Sequence, residues 1–276
     1  TDHLMAERQR TSMQLRDFTP HPHVLPEEDP NQQFTEYGRG KKKVPTRNLA
    51  APTKNRIRLR WGRTERYRYM SHLDNLRLLE RAIRRARVPV AYSQGFNPSM
   101  KLSFGPPLPL GFTSEAEHVD IVLDTTFMTY MLDGLKKKLP PGFEVFDARV
   151  VLSATTSLSA ALNRVVYTAP VSCWEDRAAL QSQLDKLLAA TELPFDRPSK
   201  DTTKRIDLRP AIHDLSICDD TVVMTLGVGE SGYAKPNELA EFLSGGLRYP
   251  AFGMPFHRKE MYRLEEDGRR TEALDI

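Results

Sequence analysis

The sequence predicts an α+β protein made of two βαββαβ units in tandem, each built on an antiparallel sheet. Three observations carry that expectation. Short segments alternate strictly between apolar and polar residues, segments with apolar residues at helical spacing lie between them, and the same element order returns in the second half of the chain. With 276 residues and 39% hydrophobic side chains, the chain is long enough for two packed units of ordinary size.

The first unit begins with "RIRLRW", whose alternation places Ile57, Leu59 and Trp61 on one face of a half-buried strand and Arg56, Arg58 and Arg60 on the other. "RTE" makes a turn or bulge and "RYRYM" continues extended. Ser71 then opens a helix, with Asp74 three residues on as its capping-box partner. Leu76, Leu79, Ala82, Ile83 and Ala86 share one side of this helix, Arg77, Arg81, Arg84 and Arg85 fall about opposite, and Pro89 stops it. "AYSQGFNPSMKLSFG" follows as a turn, with Gly95 and Pro98 supplying the backbone chemistry, and runs into an edge strand. Alternation sends Met100, Leu102 and Phe104 to the core and Lys101 and Ser103 to the open face. After the rigid "GPPLPLGFTS" come a strand at "EHVDIVLD", a helix at "TTFMTYMLDGLKKKLP" with Met128, Met131, Leu132, Leu135 and Leu139 in register, and a strand at "GFEVFDARVVL". This is the ferredoxin-like order.

From Arg164 the order returns. "RVVYTAPVS" reads as a strand and "WEDRAALQSQLDKLLAA" as a helix. "KRIDLRPAIHDLSI" and "TVVMTLGV" form a strand pair turning at Asp219 and Asp220, "NELAEFLSG" a short helix and "KEMYRLE" the closing strand. The chain therefore divides into a tail or linker over 1–53, a basic unit over 54–155, a second unit over 163–266 and a short tail over 267–276. The first segment is rich in Pro, Gln, Asn and charge and lacks either periodicity. It holds a candidate amphipathic helix at "MAERQRTSMQLRDF", a basic cluster at Lys41 to Lys43, and a "HPH" at His21 to His23 with no Cys, Asp or Glu at ligand spacing, so no metal site is expected.

Charge is concentrated. The net is +4, yet from Lys54 to Tyr92 twelve Lys and Arg face only Glu65, Asp74 and Glu80, a local excess of +9 that leaves −5 for the rest. Such an excess suits a polyanion, most often nucleic acid, with a solvated helix face as the bland alternative. No apolar run of about 18 residues and no signal-peptide h-region is present, so a cytoplasmic, non-membrane protein is expected. Cys173 and Cys218 stand far apart, with no second pair for a disulfide framework or zinc site, and are expected to be reduced and buried.

The candidate contacts to RNA or another substrate fall into four sets. Arg58, Arg60, Arg66 and Arg68 come from the arginine strand and its turn, although Asp120 and His118 on the neighbouring strand could consume part of that charge. Arg77, Arg81, Arg84 and Arg85 come from the helix. Tyr92, Ser93, Gln94 and Asn97, with Lys101 and Ser103 beyond them, are side chains that a plain tight turn does not require together. Lys204, Arg205 and Arg209 come from "KRIDLRP", where an Arg205–Asp207–Arg209 ladder is as good a reading as a phosphate clamp. Tyr67, Tyr69, Tyr92 and Phe96 offer stacking surfaces for single-stranded RNA. His72, in "SHLD", is a candidate phosphate ligand or general acid or base, although a lone histidine at such a place is more often a packing or hydrogen-bonding residue. "GVGESG" at Gly227 to Gly232 formally fits GxGxxG but sits in an antiparallel unit and serves as a flexible connection.

"RYRYMSHLDNLRLLERAIRRARVPVAYSQGFNPSMKLSFGPPLPLGFTSEAEHVDIVL" resembles the radical-SAM-linked domain of unknown function, a bacterial family encoded beside a radical SAM enzyme or fused to its C-terminus. "TKRIDLRPAI" and "GYAKPNEL" echo it more weakly, so the resemblance covers most of the chain after Arg56. It implies a radical SAM partner, separate or fused on the N-terminal side, and an RNA-related setting. It also implies that the N-terminal tail is the end of a fused enzyme or a linker from it. A radical SAM enzyme holds its iron–sulfur cluster with three closely spaced cysteines, which this chain lacks. The cluster and S-adenosylmethionine would therefore belong to the partner, and no cofactor is expected here. The expectation is a non-catalytic substrate-binding or docking module that binds RNA or an RNA-associated substrate. The alternatives are an RNA-cleaving or RNA-modifying enzyme using His72 with Arg66 or Arg68, and a protein-docking scaffold without RNA affinity.

Overall fold

The computed structural model describes residues 55–94, 96–151, 156–174, 176–198, 202–229, 232–244 and 253–276. The N-terminal segment with its candidate helix, His21 to His23 and Lys41 to Lys43, and the turn residue Gly95, lie outside the described residues.

The first half contains β1 (Asn55–Arg63), α1 (His72–Ala86), β2 (Leu102–Phe104), β3 (Thr113–Leu123), α2 (Thr129–Lys136) and β4 (Phe143–Val151). After a short α3 (Leu158–Ala161), the second half contains β5 (Arg164–Pro170), α4 (Arg177–Ala189), β6 (Pro194–Pro198), β7 (Thr203–Asp207), β8 (Ile212–Cys218), β9 (Thr221–Gly227), α5 (Pro236–Leu243), β10 (His257–Leu264) and β11 (Arg270–Glu272). The architecture is mixed α+β around one open, mostly antiparallel sheet ordered β4-β1-β3-β10-β5-β9-β8, with β2 on β3, β11 on β10 and a separate β6–β7 hairpin. The sole parallel contact among these strands is the short pairing of His257 and Arg258 in β10 with Thr113 and Ser114 in β3, and it joins the halves.

Alternation explains the first core. Ile57, Leu59 and Trp61 of β1 and Val119, Ile121 and Leu123 of β3 pack against Leu79, Ala82 and Ile83 of α1 and Met131 and Leu135 of α2. The second core gathers the inward faces of β5, β8 and β9 with Leu180, Leu184 and Leu187 of α4 and Leu239, Ala240 and Leu243 of α5.

Alternation fails at the end of β1, where Trp61, Gly62 and Arg63 are all buried. A register shift against each neighbouring strand turns the chain there. A Cβ on Gly62 would lie 2.4 Å from the Ser114 carbonyl oxygen, so the bulge requires glycine. "RYRYM" is not extended: Glu65–Tyr67 forms a 3-10 turn that leads to α1. "KRIDLRPAIHDLSI" is two strands, since β7 pairs with β6 and a 3-10 turn at Arg209–Ala211 separates it from β8. The segment 267–276 carries β11 and buries Ala273.

A buried charge network holds the junction. Arg258 is 2% exposed and donates to Glu117 Oε1 (2.9 Å), the Tyr167 hydroxyl (2.8 Å) and the carbonyls of Pro106 (2.8 Å) and Pro107 (3.0 Å). Ser114 Oγ donates to the same Glu117 oxygen (2.8 Å). Beside them, Arg63 is 1% exposed and donates to the carbonyls of Met70 (2.8 Å), Pro109 (3.1 Å) and Phe112 (3.2 Å). Burial lowers the pKa of Arg63 to about 10, partly offset by Glu117 and reinforced by Arg258. Removing one partner of such a pair strands a buried charge at a cost of about 3–5 kcal/mol, whereas removing both is close to neutral. Arg258→Met alone is therefore expected to lower the urea midpoint strongly, and adding Glu117→Leu to restore most of the loss. A double variant no more stable than the single one would show that Glu117 is not the group being neutralised.

Candidate nucleic-acid interface

α1 owes its start to Ser71, whose Oγ accepts from the Asp74 backbone N–H (3.2 Å) and donates to the Asp74 carboxylate (2.7 Å). That hydroxyl, with smaller effects from Arg77 and Arg81, holds the Asp74 carboxyl below its ordinary range. With Leu79, Ala82 and Ile83 against the sheet, Arg77, Arg81, Arg84 and Arg85 are left exposed along the outer face, and Arg87 closes the helix in a left-handed conformation. Arg84 makes an i, i+4 contact with Glu80 at 3.6 Å, a weak exposed pair.

α2 completes this face. Gly134 abuts Ala86, where a Cβ would meet the Ala86 carbonyl oxygen at 3.8 Å, so the two helices approach closely. The following Lys136, Lys137 and Lys138 are all exposed. Arg81, Arg85 and Lys138 line one cleft of about 370 Å³ with Leu78, Leu139 and Pro140. Tyr130, 68% exposed, lies one turn before Gly134 on the same ridge of α2. The sequence places Lys136 to Lys138 and Tyr130 in the segment of the second helix, which its apolar positions identify without assigning them a role. The signal for the lysines is the unbroken run at a helix C-terminus, and nothing local ties them to α1.

The arginine strand has a different fate. Arg58 is fully buried: its Nε and Nη2 donate to the two Asp120 oxygens (2.7 and 3.0 Å), and its Nη1 donates to the Ala273 carbonyl (2.7 Å). It is an internal tie between β1, β3 and the segment after β11, not a surface contact. Arg60 is half-buried, donates to the Glu115 carbonyl (2.9 Å) and stands over the Phe146 ring. Arg68 is likewise engaged, with the Gly111 carbonyl (2.9 Å), Glu65 (2.8 Å) and the Met254 carbonyl (3.3 Å), whereas Arg66 is exposed.

His72 is exposed at the first turn of α1, edge-on to Phe104 at 5.3 Å between ring centres. In the loop, Ser93 Oγ accepts from Ser99 N–H (3.0 Å) and meets Ser99 Oγ (3.1 Å), so Ser93 closes the turn. Tyr92, Gln94 and Asn97 are exposed and Phe96 is wholly so. Ser103 is exposed and Lys101 half-buried, while Tyr67 packs edge-on against Phe143. Lys204 and Arg205 are exposed on β7. Arg209 is bonded to the carbonyls of Leu188, Ala190 and Ile212 at 2.9 Å each, tying the end of α4 to β8. The Asp207 carboxylate accepts from the Leu193 and Arg209 backbone N–H groups, which takes it out of the expected ladder. Cys218 is exposed rather than buried, and Cys173 half-buried.

On the opposite side of the first half's sheet, a cleft of about 340 Å³ is lined by Arg60, His118, Asp147, Arg149, Glu272 and Asp275, among others. Its carboxylates are largely taken, Asp275 and Asp147 by Arg149 and Glu272 and Glu260 by Arg270. No cluster of three His, Cys, Asp or Glu suited to a metal ion occurs among the described residues, and no helix among them is long and apolar enough to cross a membrane.

The fold and its helical face define a mixed α+β protein with an exposed cationic surface built by two helices. Residues 56–236 match the family described as "Uncharacterized protein conserved in bacteria (DUF2344)", and the chain belongs to that family. No curated protein matches it. Among solved structures it is similar to an unknown protein from Galdieria sulphuraria, with 13% identity over 74% of this chain and 96% of that one and a TM-score of 0.23, a likeness too slight to bear on the fold.

His118 supplies a pH test of the face opposite the helices. It is 4% exposed, with Nδ1 lacking a hydrogen-bond partner, and burial, then Arg60 and Arg58, lower its pKa from 6.5 to about 3. The folded protein thus keeps it neutral where the unfolded chain takes up a proton, so its contribution to stability is whole above about pH 6.5 and is lost as pH falls toward about 3. Between about pH 7 and about pH 5 this one group is expected to remove about 2 kcal/mol. Urea titrations at the two pH values should show that difference shrinking in His118→Phe. An unchanged difference would assign the acid sensitivity elsewhere.

Proposed function

We propose that this protein is a non-catalytic binding module that takes up single-stranded or looped RNA on the α1–α2 face and serves a radical SAM enzyme as its docking or substrate-presenting partner. The observation that carries the RNA reading is the convergence of Arg77, Arg81, Arg84 and Arg85 from one helix with Lys136 to Lys138 from the end of another, a set of seven cations that outnumbers the nearby carboxylates Asp74, Glu80 and Asp133. Cations left in solvent raise the local concentration of a polyanion and release counterions when they meet phosphates. Tyr130 beside this face, and Tyr92 and Phe96 on the loop that follows α1, offer rings on which unpaired bases stack. The radical SAM partner rests on the resemblance of the segment from Arg66 to Leu123, and S-adenosylmethionine and the iron–sulfur cluster are assigned to that partner.

The strand orders support two ferredoxin-like units within the one sheet. β4-β1-β3-β2 and β10-β5-β9-β8 follow the same connectivity, the second with the β6–β7 hairpin inserted between its first helix and second strand. The open sheet face is not the favoured RNA surface in this proposal, because Arg58 is spent on Asp120.

The full chain is expected to bind a labelled unstructured RNA with an affinity that falls steeply as salt rises, and without turnover. Changing Arg77, Arg81, Arg84 and Arg85 to Glu should abolish binding, while Lys204→Glu with Arg205→Glu should leave most of it. RNA cleavage lost in His72→Ala would replace this proposal with an enzymatic one. Unaltered capture of the radical SAM enzyme by a chain with no RNA affinity would replace it with a protein-docking one.

A further inference from the structure

We infer that the cleft between α1 and the residues following α2 is a one-nucleotide subsite, in which Arg81, Arg85 and Lys138 hold a phosphate and Leu78, Leu139 and Pro140 carry the attached base. The inference rests on the RNA-binding reading of this face and narrows it from a charged surface to one position on the strand. Three features of the cleft point to this occupant.

The first is its charge. Among the described residues no carboxylate forms an ion pair with Arg85 or Lys138. Arg81 uses its Nε on the Arg77 carbonyl (3.2 Å), which leaves its two terminal nitrogens for another acceptor. Three cations converge here from two separate elements, where a merely solvated helix face would keep its charges apart. Guanidinium groups bind phosphate through paired N–H donors, and the lysine adds a point charge.

The second is the floor. Leu78, Leu139 and Pro140 are half-buried apolar residues, and Leu78 and Leu139 pack onto the first core, so the surface they offer is backed by the fold. A phosphate alone needs no apolar surface beside it. A nucleobase does, since its face is removed from water on contact.

The third is size and setting. A space of about 370 Å³ falls within the range of small-ligand sites, roughly 300–1,000 Å³, and at its lower end, as a single nucleotide requires. α2 lies against the end of α1 at Gly134 and Ala86, and Lys138, just past α2, shares the cleft with Arg81 and Arg85. The exposed Tyr130 on the same ridge lies where a neighbouring base of the strand can stack.

The test uses the full chain and two probes, adenosine 5′-monophosphate and inorganic phosphate, followed by NMR shift titration at low salt. The mononucleotide is expected to bind at least about tenfold more tightly than phosphate, and the preference to disappear in Arg85→Gln with Lys138→Gln. Arg77→Gln, on the same face but outside the cleft, should leave it intact, and Leu139→Ser should weaken the mononucleotide while sparing phosphate. Equal binding of the two probes, or equal losses in Arg77→Gln, would overturn the subsite. RNA binding that persists in that case keeps the broader reading of the face. Mononucleotide binding in a chain without RNA affinity would make the cleft a free-nucleotide site, which overturns the inference and the broader reading together.

Discussion

The fold depends on one buried guanidinium. Arg258, near the start of β10, is the point at which β3, β5 and the proline-rich connection before β3 meet, and it satisfies carbonyl, carboxylate and phenol oxygens at once. The pairing between the halves is otherwise brief, limited to two residues on each strand. A two-residue parallel ladder contributes little by itself, so the register between the halves is set by side chains, with Glu117 presenting its carboxylate to both Ser114 and Arg258. Burial also pushes the Tyr167 phenol pKa up, which keeps that hydroxyl neutral. As it receives N–H bonds from Arg258, its oxygen serves as an acceptor at the centre of the network.

The same constraint explains which arginines remain in solvent. Arg58, Arg63 and Arg258 each lie under 3% exposed, and each is surrounded by oxygen acceptors from distant parts of the chain. Their long stems and planar forks make them ties between strands and connections. The arginines of α1 have no such surroundings, because a helix lying on a sheet presents its outer face to water and to nothing else. One residue type is thus a buried tie in one segment and a solvent-facing charge in the next, and burial sorts them.

That sorting marks how far the sequence could be read. Periodicity was sufficient for β1, α1, β3, α2 and β4, because each lays a regularly spaced apolar face on the first core, and it separated the arginines of α1 from its leucines. It also put Asp120 and His118 on the strand beside the arginines, and the register pairs Arg58 with Asp120 and Arg60 with His118. It could not tell that Arg58 would be covered, because the Ala273 carbonyl that covers it lies 215 residues away and reads as tail. Arg63 and Arg258 were illegible for the same reason: their partners lie on other segments, backbone carbonyls for Arg63 and Glu117, Tyr167 and two proline carbonyls for Arg258, and no local pattern ties them together. The β6–β7 hairpin was missed since Phe195 and Ile206 are its only half-buried apolar positions, too few to establish a period.

The candidate interface was legible in part, and the missing part is its tertiary half. Arg81 and Arg85 follow from the helical period, but Lys138 joins them only through the packing of α2 against α1, which no local pattern records. A helix with an arginine face is a common and unspecific surface. What distinguishes this one is that a second element brings further charge to it and, between the two, leaves an apolar floor that water covers poorly. Charge alone would attract any polyanion; charge beside half-buried leucine and proline favours a polyanion with flat, weakly hydrated groups hung along it. Unpaired RNA has that character and a duplex, with its bases stacked inside, does not.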